Sequence, residues 1–193
     1  ERMSDSLISG AAAVVDMVVD ILKNHWQTAV TAIATDLALG YTLTTPDSTH
    51  GYSKSRVLPR NSSPSCEVFV DGVGVYGQRL VNVGAARRMT NVVRVRIRWS
   101  PKERASAETD AQVYGAAARQ VIMQRWRAYH STGSIKARVV DLEVETDESA
   151  SSIGQRGQAE GLTDYGRGYE ANDETIELIV KFDHFVNHPI SFS

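Results

Sequence analysis

The stretch NVVRVRIRW, residues 91 to 99, has the cleanest alternation in the chain, from Val93 to Trp99. Val93, Val95, Ile97 and Trp99 share one parity and Arg94, Arg96 and Arg98 the other, so as a strand it turns an apolar face one way and three guanidinium groups the other. The apolar face asks for a covering layer, and the arginine face asks for counter-charge, a partner or water. Three readings of the arginine row follow. It could contact phosphates with a salt-sensitive, sequence-independent affinity. It could pair across the sheet with an acidic row, for which Asp141, Glu143 and Glu145 in DLEVE are the candidates. It could also lie at a subunit boundary, where arginine is enriched. With no aromatic residues interleaved among the arginines, pairing or an interface is favoured over nucleic acid.

The covering layer is legible in two helical patterns. In SDSLISGAAAVVDMVVDILKNHWQ, Asp5, Ser9, Asp16, Asp20, Lys23 and Gln27 fall on one face and Leu7, Ala11, Val14, Val18, Ile21 and Leu22 on the other. Trp26, Val30, Ile33 and Leu37 continue the spacing, which predicts a helical region over 5–39 with a break near Asn24-His25 and a stop at Gly40. After the arginine strand, Ser100-Pro101-Lys102-Glu103 reads as a capping box with proline at the first helical position. The helix that follows runs to about Tyr129, with Val113, Ala117 and Val121 in one stripe.

Further strands are expected in CEVFVD, QRLVNV, IKARVVDLEVET and ETIELIVKFDHFV. The order is helix, three strands, helix, two strands. That is an α+β pattern in which two main helices pack on a mostly antiparallel sheet, with long polar loops. Residues 40–65 form a long polar connection holding three of the five prolines, and 147–172 a glycine-rich loop or arm with five glycines. Within that arm Ile153, Leu162, Tyr165 and Tyr169 are spaced apolar anchors, and Arg156 and Arg167 could bond to a neighbour, so it is expected to order against an adjacent subunit. With 193 residues, 42% of them hydrophobic, the chain suits a single domain over 1–193. MSDSL at Met3 reads as a natural start preceded by an added Glu1-Arg2.

Most familiar chemistry is missing its residues. Gly72-Val-Gly74-Val-Tyr-Gly77 has the spelling of a dinucleotide-binding loop, but no acidic residue stands about twenty positions on, where a ribose needs one. Only some twenty residues lead to the next strand, too few for a crossover helix, and Asp71-Gly72 is a hairpin signal. No cofactor site is therefore expected. His184 and His188 have the spacing of helical metal ligands but sit in a strand-like stretch ending at Pro189, and the lone Cys66 has no activating base nearby in sequence. No catalytic or metal-binding constellation is assembled, and an enzyme is not expected. A net charge of −2 gives no global pull toward nucleic acid, and no apolar run reaches the ~18 residues of a membrane span.

Taken in order, MSDSLISGAAAVVDMVVDIL, LPRNSSPSCEVFVDG, NVVRVRIRW and AQVYGAAARQVIMQRW resemble the tail terminator and related neck proteins of tailed bacteriophages, over roughly residues 3 to 146. The resemblance implies a small α+β fold with two helices on an antiparallel sheet and a homohexameric ring. Such a ring caps the finished tail tube and presents a surface for head joining. The implied partners are further copies of the chain, the tail tube protein and a head–tail connector protein, with DNA passing through the ring, in a virion assembled in the host cytoplasm. A head-side adaptor or head-closure ring is the alternative of the same kind. A nucleic-acid-binding module using Arg94, Arg96 and Arg98 is the alternative of a different kind. The interface candidates are Arg94, Arg96, Arg98, Arg156, Tyr165, Arg167 and Tyr169.

Overall fold

The computed structural model describes residues 3–55, 63–71, 82–83, 86–101, 104–132, 139–147 and 174–187. In these, helix α1 (Met3–Asp36) is followed by β1 (Tyr52–Ser53), β2 (Ser65–Val70), β3 (Asn82–Val83) and β4 (Ala86–Trp99). A 3₁₀ turn at Arg104–Ser106 leads into α2 (Ala107–Thr132), then β5 (Val139–Thr146) and β6 (Glu174–Asn187). The strands form one sheet in the order β1-β2-β4-β6-β5, with β3 attached to β4. Among the described residues the short β1–β2 pairing is parallel and the others are antiparallel. The expected α+β class is therefore what the chain adopts. Among the described residues no helix is long and apolar enough to cross a membrane.

The two faces of β4 divide as the alternation requires. Val93, Val95, Ile97 and Trp99 are buried with Cys66 and Val68 of β2, Leu142 and Val144 of β5, and Ile176, Leu178, Val180 and Phe182 of β6. Both helices close over this face. From α1 come Val14, Val18, Ile21, Leu22, Trp26 and Val30, and from α2 come Val113, Ala117, Ala118, Val121, Ile122 and Trp126. At about 25 cal/mol per Å² of apolar surface removed from water, this shared layer is the main term holding sheet and helices together. Gly115 lets α2 approach the sheet, since a Cβ there would come 2.7 Å from Ile176 Cδ1. Trp26 also donates its indole N–H to the Tyr114 carbonyl at 3.2 Å, locking α1 to α2 inside the core.

Four details differ from the sequence reading. The first helix is unbroken through Asn24-His25, because Ile21, Leu22, Trp26 and Val30 keep one continuous stripe buried across that point. It stops at Asp36 rather than near Gly40. Ala38 takes the left-handed conformation (φ 50°), its N–H bonding the Thr35 carbonyl while Leu39 N–H bonds the Ala34 carbonyl. That is a Schellman cap completed by alanine, with Leu37 turned outward and half exposed instead of continuing the buried stripe. The second helix begins at Ala107, after the 3₁₀ turn, so Pro101 lies ahead of the helix and the first turn carries Glu108 and Asp110. The arginine strand extends to 14 residues, back to Ala86, because β6 pairs along its whole length. Of QRLVNV, Asn82–Val83 is described as strand and the rest lies outside the described residues.

The connection over 40–65 is fastened where it is described. Gln27 donates to the Leu43 carbonyl and accepts from Thr45 N–H, and the Tyr114 hydroxyl donates to the Thr44 carbonyl. Asp47 accepts from the Thr49 and His50 N–H groups, closing a turn whose Gly51 carbonyl accepts from Cys66 N–H. A Cβ on Gly51 would fall 2.6 Å from Asp47 N, so this turn needs glycine. A cis peptide bond joins Ser63 and Pro64 just before β2.

Alanine in the left-handed region costs about 1 kcal/mol that glycine avoids. Ala38→Gly is therefore expected to stabilise the fold by roughly 0.5–1 kcal/mol, read as a higher urea midpoint with unchanged slope. An unchanged or lowered midpoint contradicts the cap described here.

Candidate functional site

The second face of the sheet carries a network of charge. In register, Arg96 stands between Glu67 on β2 and Glu177 on β6, while Arg94 and Arg98 are their diagonal neighbours. Arg96 Nε bonds Glu177 Oε2 at 2.9 Å, and its Nη1 lies 3.4 Å from Glu67 Oε2. Arg94 reaches Glu177 Oε1 at 2.5 Å, Asp71 Oδ2 at 2.6 Å and Asp147 Oδ2 at 2.7 Å. Arg98 Nη2 sits 3.4 Å from Glu67 Oε1. Backbone bonds place the outer two acids, from Asp71 N–H to the Val92 carbonyl and from Asp147 N–H to the Glu177 carbonyl. One guanidinium thus ties together the ends of β2 and β5 and the first part of β6.

Burial makes this network consequential. Glu67 and Glu177 are almost fully buried, and Arg98 is 7% exposed. Arg96 also lies over the Phe69 ring, 5.3 Å from its centroid. Burial pushes the Glu67 carboxyl above its ordinary 4.5, against the pull of Arg98 and Arg96 and helped by the nearby charge of Glu177. For Arg94, burial disfavours the charge, but the hydrogen bonds with Glu177, Asp71 and Asp147 outweigh it and raise its pKa.

The arginine row is paired, though not with the acids expected. Asp141, Glu143 and Glu145 do share the outer face of β5, but β6 runs between β5 and β4. Glu145 instead takes Lys181 at 2.5 Å, while Asp141 accepts from Leu142 N–H and Glu143 is exposed. The true partners, Glu67 and Glu177, were visible as the one acid on the outward parity of SCEVFV and of ETIELIV. Arg156, Tyr165, Arg167 and Tyr169 lie outside the described residues, as do Gly72 to Gly77 and His188. The strand that follows the glycine motif, β3, pairs antiparallel with β4 and is not a neighbour of β2, whereas a dinucleotide-binding unit lays its two strands parallel in one sheet. Cys66 is a fully buried strand residue whose thiol pKa is pushed up by burial and by Glu67. Among the described residues no group of three or more His, Cys, Asp or Glu could hold a metal ion.

A cavity of about 190 Å³ lies beside the core, lined by Tyr41 to Thr44, Ser63, Pro64, Trp99, Ser100, Asp110 and Tyr114. Its buried carboxylate is occupied: Asp110 accepts from the Tyr41 hydroxyl at 2.6 Å and from Ser106 Oγ at 3.2 Å. These bonds tie the connection after α1 to the first turn of α2. They give Asp110 a structural task.

No protein-family model matches this chain, and no curated protein is significantly similar to it in sequence.

Removing one member of a buried ion network strands the others without compensation. Glu177→Gln is expected to destabilise the fold by roughly 3–5 kcal/mol, whereas Glu143→Gln on the exposed row changes stability by less than about 0.5 kcal/mol. Equal effects in urea unfolding would contradict the network.

A pH signature follows from Glu67. Its folded pKa lies above 4.5, so its contribution is fully present below that value and is lost as pH rises toward and through the raised pKa. Glu67→Gln, which does not titrate, is expected to gain stability relative to the parent chain as pH is raised from 4.5 to neutrality. A difference that is flat or of opposite slope across this window would contradict the raised pKa.

Proposed function

We propose that this chain is a structural, ring-forming virion protein of the phage neck, a tail terminator or a closely related ring that caps the tail tube and receives the head. The observation that carries the reading is the arrangement of elements. Two helices cover one face of a mostly antiparallel sheet, and the order α1, β2, β4, α2 follows the four segments on which the resemblance rests. The polar features fit an assembly role. Arginines and acids on the outer face stiffen the sheet by pairing with one another, and the buried carboxylate of Asp110 fastens a loop. A scaffold that must hold its shape while neighbours press on it benefits from such cross-strand ties.

The nucleic-acid reading loses its best residues by the same geometry. Arg94 already serves three carboxylates, and Arg98 is buried, so neither presents a free guanidinium to phosphate.

The test is the mass in solution, alone and with tail tube protein. The expected outcome is a closed ring of six copies, formed alone or on contact with the tube. A chain that stays monomeric in both conditions, and is shifted by DNA, overturns the proposal.

A further inference from the structure

The cavity of about 190 Å³ lies where the segment after α1, the start of β2, the end of β4 and the first turns of α2 meet. Trp99, Asp110 and Tyr114 in its wall are each at most 3% exposed, whereas Thr42, Ser63 and Ser100 are exposed, so it opens to water on one side. A dry cavity of about 150 Å³ admits benzene. This one therefore has room for a guest of roughly seven heavy atoms.

The wall is electronegative. Asp110 is a buried carboxylate whose bonds come from two hydroxyls, Tyr41 Oη at 2.6 Å and Ser106 Oγ at 3.2 Å, and not from a cation. Among the described residues lining the cavity there is no Lys, Arg or His. The positive end of the α2 dipole offsets only part of a full charge, and a carboxylate has acceptor positions beyond the two in use. Tyr41 donates to Asp110 and Tyr114 to the Thr44 carbonyl at 2.8 Å, so both phenol oxygens keep lone pairs and have no further proton to offer. Burial first, and then the charge of Asp110, raise the Tyr114 pKa and keep that hydroxyl a neutral donor. Tyr41, Trp99 and Tyr114 make the wall aromatic, with the Trp99 and Tyr114 ring centroids 5.5 Å apart. One donor is left over. Trp99 Nε1 is buried and has no acceptor, a cost that a guest oxygen would relieve.

We infer that this cavity binds a small organic cation, with an alkylammonium group held between Asp110 and the aromatic residues and an oxygen of the same molecule taken by the Trp99 indole N–H. A carboxylate among aromatic rings favours a diffuse positive charge over a neutral or negative one. A hard metal ion asks for several oxygen ligands at once, and Asp110 is the one carboxylate among the described residues of the wall. The hydroxyl bonds that fasten the loop to α2 remain in place, because the guest uses the acceptor positions they leave open. The inference does not depend on the ring reading.

The test is calorimetric titration of the full-length chain with choline and with its neutral isostere, in which a tert-butyl group replaces the trimethylammonium. The two share shape and hydroxyl and differ in charge. Choline is expected to bind at a single site, at least roughly tenfold tighter than the isostere, with potassium chloride at equal concentration as the blank. Asp110→Asn keeps the size of the side chain and an acceptor for Tyr41, and circular dichroism checks its fold. It is expected to weaken choline at least roughly tenfold and to leave the isostere unchanged. Trp99→Phe keeps a ring without the N–H and is expected to weaken both guests alike. Equal affinities of choline and the isostere for the parent chain overturn the inference without any variant, and so does binding of neither. An Asp110→Asn chain that takes choline like the parent overturns it as well, and an unaltered Trp99→Phe chain overturns the role given to Trp99.

Discussion

The antiparallel register of β4 against β6, running from Ala86–Asn187 to Trp99–Glu174, is the interaction on which the rest of the molecule depends. It joins two segments far apart in the chain, so its loop-closure cost must be met by what the paired strands then bury. On one face they assemble Val93, Val95, Ile97 and Trp99 beside Ile176, Leu178, Val180 and Phe182, a surface wide enough for two helices to sit side by side. On the other they bring Glu177 between Arg94 and Arg96. A shift of one residue would turn the arginines into the core and the valines out of it, so the two faces enforce the register together.

The charged face has the energetics of a buried polar network. Its members are costly to remove from water, and their mutual bonds offset that cost only while every member is present. Arg94 holds acids from three different segments, Asp71 after β2, Asp147 after β5 and Glu177 within β6. The network therefore reports whether three separate parts of the chain have arrived at their places. That is a role in specifying the fold, and it accounts for charged side chains at depths where aliphatic ones would be simpler to bury.

The helical side has a different organisation. Gly115 and the alanines of α2 permit close approach, Trp26 bonds the Tyr114 backbone, and the segment after α1 is gathered in by Gln27, Tyr114 and Asp110. What remains outside differs between them: Asp16, Asp20, Lys23 and Asp36 on α1, and Glu108, Arg119, Arg125 and Arg127 on α2.

Local periodicity by itself determined the parts whose side chains choose between water and hydrocarbon. The alternation of Val93 to Trp99, the stripe from Val14 to Val30 and the stripe Val113, Ala117 and Val121 each lie where their spacing places them, because burial of apolar surface acts on every turn or pleat separately. Tertiary structure decided what depended on neighbours distant in sequence. The partner of the arginine row was settled by strand order, since β6 rather than β5 lies beside β4, and spacing along the chain contains nothing about that order. The continuity of α1 through Asn24-His25 was settled by the core's demand for Trp26, and its end by a cap that alanine completes at Ala38 while Gly40 lies beyond it.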